Sequence, residues 1–237
     1  MSQFLKRNML LREVDTPNVG DTPEVQPGQN LQGILWSAYM QGGDVIRLGP
    51  YTYHIQKTIT IPENVTLVGV PRLTTLILQH TKGSTDYGPV VQLNTKSRIV
   101  DCYVDFRMAE AGTGLSDPFF KQGTATLVND EGTEIDTGSS DNNATIILAG
   151  VRARAEGCVI PVGARRGIVS KANDCFILGN EIEAPTSTND AIEVESGVTG
   201  NIIIGNWCEN TGVIETGANN VVGDNDADDK LNYGNVT

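Results

Sequence analysis

Aromatic residues make up only 5% of the 237-residue chain, and histidine occurs twice, at His54 and His80. So few rings leave little material for a sugar-binding groove built on stacking. Neither histidine lies in a pattern that suits a Ser/His/Asp set. The four cysteines, Cys102, Cys158, Cys175 and Cys208, are widely spaced and form no Cys-x-x-Cys pair. That argues against a zinc site and for free, buried thiols acting as small hydrophobes. Basic residues are scarce, 17 against 29 acidic ones, and the formal net charge is −12. Such a field repels nucleic acid and suits a basic protein partner. No stretch approaches the roughly 20 apolar residues that a bilayer-spanning helix needs, so no membrane partner is expected. Met1–Glu13 shows no long apolar core and no small-residue cleavage site, so synthesis in a cytoplasm without a signal peptide is expected. Phosphate loops and nucleotide fingerprints are also missing, and no cofactor is expected.

What is abundant is glycine, at 26 residues, against a hydrophobic share of 39%. This balance suits a fold with many turns and a thin core. Residues 1–28 stand apart. Phe4, Leu5, Met9, Leu10 and Leu11 are interspersed with Lys6, Arg7 and Arg12, and Pro17, Gly20, Pro23, Pro27 and Gly28 follow with little periodicity. A Pro/Gly-rich run of this kind does not build its own core. It reads as an extended N-terminal arm that docks on another surface or folds back on its own domain. A helix is expected within residues 29–43, with Asn30 as N-cap, Leu31, Ile34, Leu35 and Ala38 at helical spacing, and Gly42-Gly43 as the stop.

From Asp44 the period changes to two. Asp44–Leu48, Tyr53–Ile55, Thr58–Ile61 and Val65–Val68 read as short strands separated by turn residues, a pattern that continues to residue 226. An internal repeat runs through it. Asp101-Cys102-Tyr103-Val104, Gly157-Cys158-Val159-Ile160, Asp174-Cys175-Phe176-Ile177, Gly200-Asn201-Ile202-Ile203 and Asn219-Asn220-Val221-Val222 each place a turn-former before a small or polar residue and two strand-formers. The steps from Cys158 to Cys175, Asn201 and Asn220 are 17, 26 and 19 residues. Counting 38 residues from Asn64 to Cys102 as two turns, and 56 from Cys102 to Cys158 as two turns plus an insertion, gives about eight coils. Gly179-Asn180, Gly205-Asn206 and Gly223-Asp224 suggest polar residues stacked at one corner. A period of about 20 residues, all strand, specifies a β-solenoid, since leucine-rich repeats need leucines that are missing and a propeller blade needs about twice the length. The insertion, residues 109–143, reads as a protruding hairpin of Thr124–Val128 and Thr133–Asp136, and residues 227–237 as a C-terminal tail.

The segment Ile34–Gly69, with its short helix, Gly42-Gly43-Asp44-Val45-Ile46-Arg47-Leu48-Gly49-Pro50-Tyr51-Thr52-Tyr53, and Ile59-Thr60-Ile61-Pro62-Glu63-Asn64-Val65-Thr66-Leu67-Val68-Gly69, resembles the start of pectin-lyase-like β-helices, phage tailspikes among them. The resemblance covers about residues 30–226. It implies an all-β chain, a right-handed single-stranded parallel β-helix with a capping helix, and a homotrimer of parallel solenoids.

This family hosts lyases, hydrolases and inert modules alike. The lyases use an acidic cluster and a base, and the tailspike hydrolases two or three carboxylates in a groove. The candidates here are Glu181, Glu183, Asp190, Glu193 and Glu195, with Arg165-Arg166 one turn earlier. Alternation points these acids outward, where they form a carboxylate ladder or a solvated face. Asp224-Asn225-Asp226-Ala227-Asp228-Asp229 lacks the glycine and glutamate of a calcium loop, so no metal is expected. The resulting expectation is a non-enzymatic bacteriophage virion protein, a trimeric capsid decoration or cement protein. Phe4, Leu5, Lys6, Arg7, Met9, Leu10, Leu11 and Arg12 would dock on the major capsid protein or another virion protein. The alternative is a short tail spike or fibre that binds, with or without cleaving, host surface polysaccharide through Asp190, Glu193 and Glu195.

Overall fold

A computed structural model describes residues 24–80, 89–110, 114–116, 119–120, 127–128, 144–161, 166–183, 191–209, 213–215, 219–223 and 226–227. The chain winds as a parallel β-helix of three sheets. The first sheet stacks Val45–Arg47, Thr66–Val68, Arg98–Val100, Arg154–Glu156, Phe176–Leu178, Ile202–Ile204 and Val221–Gly223. The second stacks Thr52–Ile55, Thr75–His80, Tyr103–Glu110, Val159–Pro161, Glu181–Glu183, Trp207–Glu209 and Asp226–Ala227, and the third Ile59–Ile61, Val91–Leu93, Ala144–Leu148, Arg166–Ser170, Ile192–Val194 and Val213–Glu215. Among the described residues this makes six complete coils and a seventh that enters two sheets, against the eight expected.

Three-residue strands explain the thin core. In the first sheet the middle residue points inward and both neighbours point out. Ile46, Leu67, Ile99, Ala155, Ile177 and Ile203 therefore form one buried column, each directly above the next in register. The third sheet inverts the pattern and buries its flanks, as at Ile59 and Ile61, Val91 and Leu93, and Ile192 and Val194. Each fully buried aliphatic contributes about 1.5–3 kcal/mol.

The coils turn at corners that need a left-handed residue followed by a small inward one. At the corner before the first sheet, positive φ recurs at Gly43, Asn64, Lys96, Arg152, Asp174, Gly200 and Asn219. At the corner before the second sheet it recurs at Asp101, Gly157, Gly179 and Gly205. The sequence repeat merged these two corners. Cys158 precedes the second sheet and Cys175 the first, so their spacing runs between different corners of successive coils and falls short of a full coil. Arg98 pairs directly with Arg154, and Tyr103 with Val159, so Cys102 to Cys158 spans a single coil carrying the insertion, not two. Asn64 and Cys102 likewise stand at different corners of successive coils.

Asparagines stack at two corners rather than one. Asn201 Oδ1 accepts from the Cys175 amide at 2.9 Å, and Asn220 Oδ1 accepts from the Asn201 amide at 2.8 Å and from its Nδ2 at 2.9 Å. At the other corner Asn180 Oδ1 accepts from the Cys158 amide at 3.0 Å, and Asn206 Oδ1 accepts from Asn180 N and Nδ2, both at 2.9 Å. Asp224 lies outside the described residues.

The N-terminal end is closed by the helix Leu31–Met40, whose N-cap Asn30 accepts from the Gly33 amide at 3.0 Å. Gln32 imitates a further strand. Its Nε2 donates to Thr60 O and its Oε1 accepts from Thr60 N, both at 2.8 Å, which satisfies the open edge of the third sheet. Val25 bridges to Leu48 on the edge of the first sheet, and the Tyr53 hydroxyl donates to Val25 O at 2.6 Å. Of the arm, only its last residues from Glu24 are described, and Phe4–Arg12 lies outside. Within the insertion Gly114–Ser116 pairs antiparallel with Tyr103–Glu110, and Leu127–Val128 pairs with Phe119–Phe120. The latter pairing uses the strand before it, while Thr133–Asp136, the partner expected from the sequence, lies outside the described residues.

Candidate functional site

The candidate carboxylates do not form a ladder. Glu181 and Glu183 flank inward Ile182 on the second sheet, whereas Glu193 lies between inward Ile192 and Val194 on the third. All belong to one coil, so they occupy different faces rather than successive rungs of one face. Alternation set their outward direction correctly. What it does not set is which sheet a strand joins, because the two strands look alike in sequence. Asp190 and Arg165 lie outside the described residues.

Three of the acids face a base. The Arg166 guanidinium stands 2.8 Å from Glu193, Lys171 Nζ 3.2 Å from Glu195, and Arg72 bonds Glu181. These pairs are partly exposed and contribute little to stability.

Among the described residues the cysteines are the most strongly perturbed titratable groups. All four are free and buried. Burial pushes Cys158 and Cys208 up to about 12, and raises Cys102 and Cys175 from the ordinary 9.0. Cys102, Cys158 and Cys175 fill the small inward position of the corners, where the later coils place asparagine. They are therefore packing residues without thiolate character. In the folded protein at pH 8 none of the four is expected to react with a disulfide reagent, and all four react in guanidinium. Rapid labelling of the folded chain would contradict this. Because the folded thiols keep protons that the unfolded chain sheds, their contribution to stability is complete below about pH 9. It is lost as pH rises toward 12.

The outer side of the first sheet was not singled out by the sequence reading. Its outward residues in the last three coils are Phe176 and Leu178, Ile202 and Ile204, and Val221, which is 54% exposed. The third sheet differs, since its outward Ile147 and Val169 are 5% and 1% exposed and form a second small apolar cluster with Ala144. The first sheet thus presents a half-buried apolar stripe that ends at exposed Val221, of the kind that marks an interaction surface. Beside it, in coils three and four, stand Lys96, Arg98, Arg152 and Arg154. No signal of period two could find either feature, because the stripe is built from residues of coils that are distant in sequence. No protein-family model matches the chain, and neither does any curated protein or solved structure.

Proposed function

We propose that this chain is a structural protein of a bacteriophage particle, a trimeric capsid-decorating or cement protein held to the shell by its N-terminal arm. The observation that carries the reading is the way the arm joins the solenoid. Val25 bridges to Leu48 and is clamped by the Tyr53 hydroxyl, so the chain before Glu24 attaches at the capped end, beside the helix. A rigid rod with an apolar, basic extension at one capped end suits a protein that stands on a surface. The split and paired carboxylates support a binding role over hydrolysis, and the Ile34–Gly69 resemblance supports the phage setting. Phe4, Leu5, Met9, Leu10 and Leu11 supply apolar contacts to the major capsid protein, and Lys6, Arg7 and Arg12 supply charge. A clamp that binds only the assembled shell stabilises it by mass action.

The test is co-sedimentation with isolated expanded heads. Removing residues 1–23 is expected to abolish attachment while leaving the far-ultraviolet dichroism unchanged. The cut stops short of Val25 because removing that residue would open the capped end. Undiminished attachment of the shortened chain, or no affinity of the full chain, would overturn the reading. Release of reducing sugars or unsaturated uronates from host polysaccharide, lost in Glu193→Gln, would assign a depolymerase instead.

A further inference from the structure

The four cations beside the apolar stripe form a two-by-two array. Arg98 and Arg154 are direct register partners on the outer side of the first sheet. Lys96 and Arg152 occupy the preceding corner of the same two coils, where the Lys96 amide donates to Val151 O at 2.9 Å. With Thr66 and Phe176 they line an open groove of about 410 Å³. The Arg154 guanidinium lies 4.2 Å from the centre of the Phe176 ring, which fixes its plane. Glu156 offsets part of the charge, through a 2.7 Å bond from Arg98.

Two observations separate this array from an ordinary solvated face. The first is conformational. Lys96 and Arg152 adopt φ of 54° and 62° at a corner where the other coils use Gly43, Asn64, Asp174, Gly200 and Asn219. Glycine, asparagine and aspartate tolerate that region, whereas lysine and arginine do so at a cost. The chain holds long cations in two adjacent strained positions, and their side chains are exposed. The second is an orphan donor. Arg98 Nε is buried without an acceptor, although the same guanidinium binds Glu156 through Nη2. An anion in the groove would meet two guanidinium groups already held, Arg98 by Glu156 and Arg154 by the Phe176 ring.

We infer that this groove binds the carboxylates of an acidic polypeptide segment on a partner protein, whose apolar side chains continue onto Leu178, Ile202, Ile204 and Val221. The stripe selects a polypeptide over an acidic glycan. Its aliphatic side chains offer no hydrogen bonds to sugar hydroxyls, and the Phe176 face is already taken by Arg154. The net charge of −12 makes this basic island complementary to an acid segment that the rest of the surface repels. The inference does not rest on the arm and concerns a different surface.

Calorimetric titration tests it with three probes: the capped peptide Glu-Glu-Glu-Leu-Val-Leu, its counterpart with lysines for glutamates, and a trigalacturonate. The full chain is compared with the double variant Lys96→Asn, Arg152→Asn. Asparagine suits the left-handed corner, so the variant is expected to melt no lower than the wild type while binding the acidic peptide at least about tenfold more weakly. Any binding of the lysine peptide, which the net charge of −12 draws to other parts of the surface, is expected to be no weaker in the variant than in the wild type. Equal binding by the variant, or no binding of the acidic peptide by the wild type, would overturn the inference. Tighter binding of trigalacturonate would transfer the groove to a glycan. Concentration-dependent self-association of the wild type, lost in the variant, would make the occupant a second copy.

Discussion

Asn201→Ala is expected to destabilise the fold by about 3–5 kcal/mol and to lower its melting temperature by roughly 10 °C. The side chain is fully buried and joins three rungs. Its Oδ1 accepts from the Cys175 amide above and, at 3.2 Å, from the Ser170 hydroxyl, and its Nδ2 donates to Asn220 below. Alanine leaves the Cys175 amide without that acceptor and breaks the link to Asn220, in a space where each unsatisfied group costs about 1–3 kcal/mol. Valine would fill more of the volume and recover little, since the loss is polar. The comparison is Asn219→Gly, one residue from the ladder, which keeps the positive φ of 60° and is expected to shift the midpoint by no more than a degree or two. Differential scanning calorimetry of both variants checks the argument. A shift for Asn201→Ala as small as that for Asn219→Gly would mean the ladder carries no stability.

These ladders also explain how far the sequence could be read. Alternation and turn residues are local signals, and they located the solenoid, its helix and its corners. Register is not local. At both corners the chain needs a left-handed residue and then a small inward one, so Gly157-Cys158 and Asp174-Cys175 look identical although they serve different sheets. Counting them as one repeat shortened the apparent period and inflated the number of coils. The same ambiguity placed Glu181 and Glu193 in one imagined ladder, when one strand joins the second sheet and the other the third. The apolar stripe and the cation array were invisible for the converse reason. Arg98 and Arg154 become neighbours only because a long insertion lies within a single coil, which no spacing rule anticipates.

Gly150→Ala is expected to be at least as damaging, at about 3–5 kcal/mol, with a large fraction of the chain recovered insoluble. The reason is contact with backbone rather than backbone conformation. A methyl group at this position would overlap Asn94 and Thr95 of the coil above, and it would meet their main chain, which no side-chain rotation relieves. The Gly150 amide itself donates to Leu93 O at 3.1 Å, and its carbonyl accepts from Cys175 Sγ at 3.4 Å. Relief therefore requires two coils to separate at a corner where three coils are tied together. Gly179→Ala supplies the contrast. Its φ of 60° disfavours alanine, but the added methyl meets open space, so the expected cost is about 1–2 kcal/mol. Denaturant melts should rank Gly150→Ala well below Gly179→Ala, and the reverse order would show that the coils part easily at this corner. Because Lys96 and Arg152 sit on the coils that would separate, surviving Gly150→Ala protein should also bind an acidic peptide more weakly. In that event the register of two coils, set by one missing methyl, controls both the stability of the solenoid and the spacing of its cations.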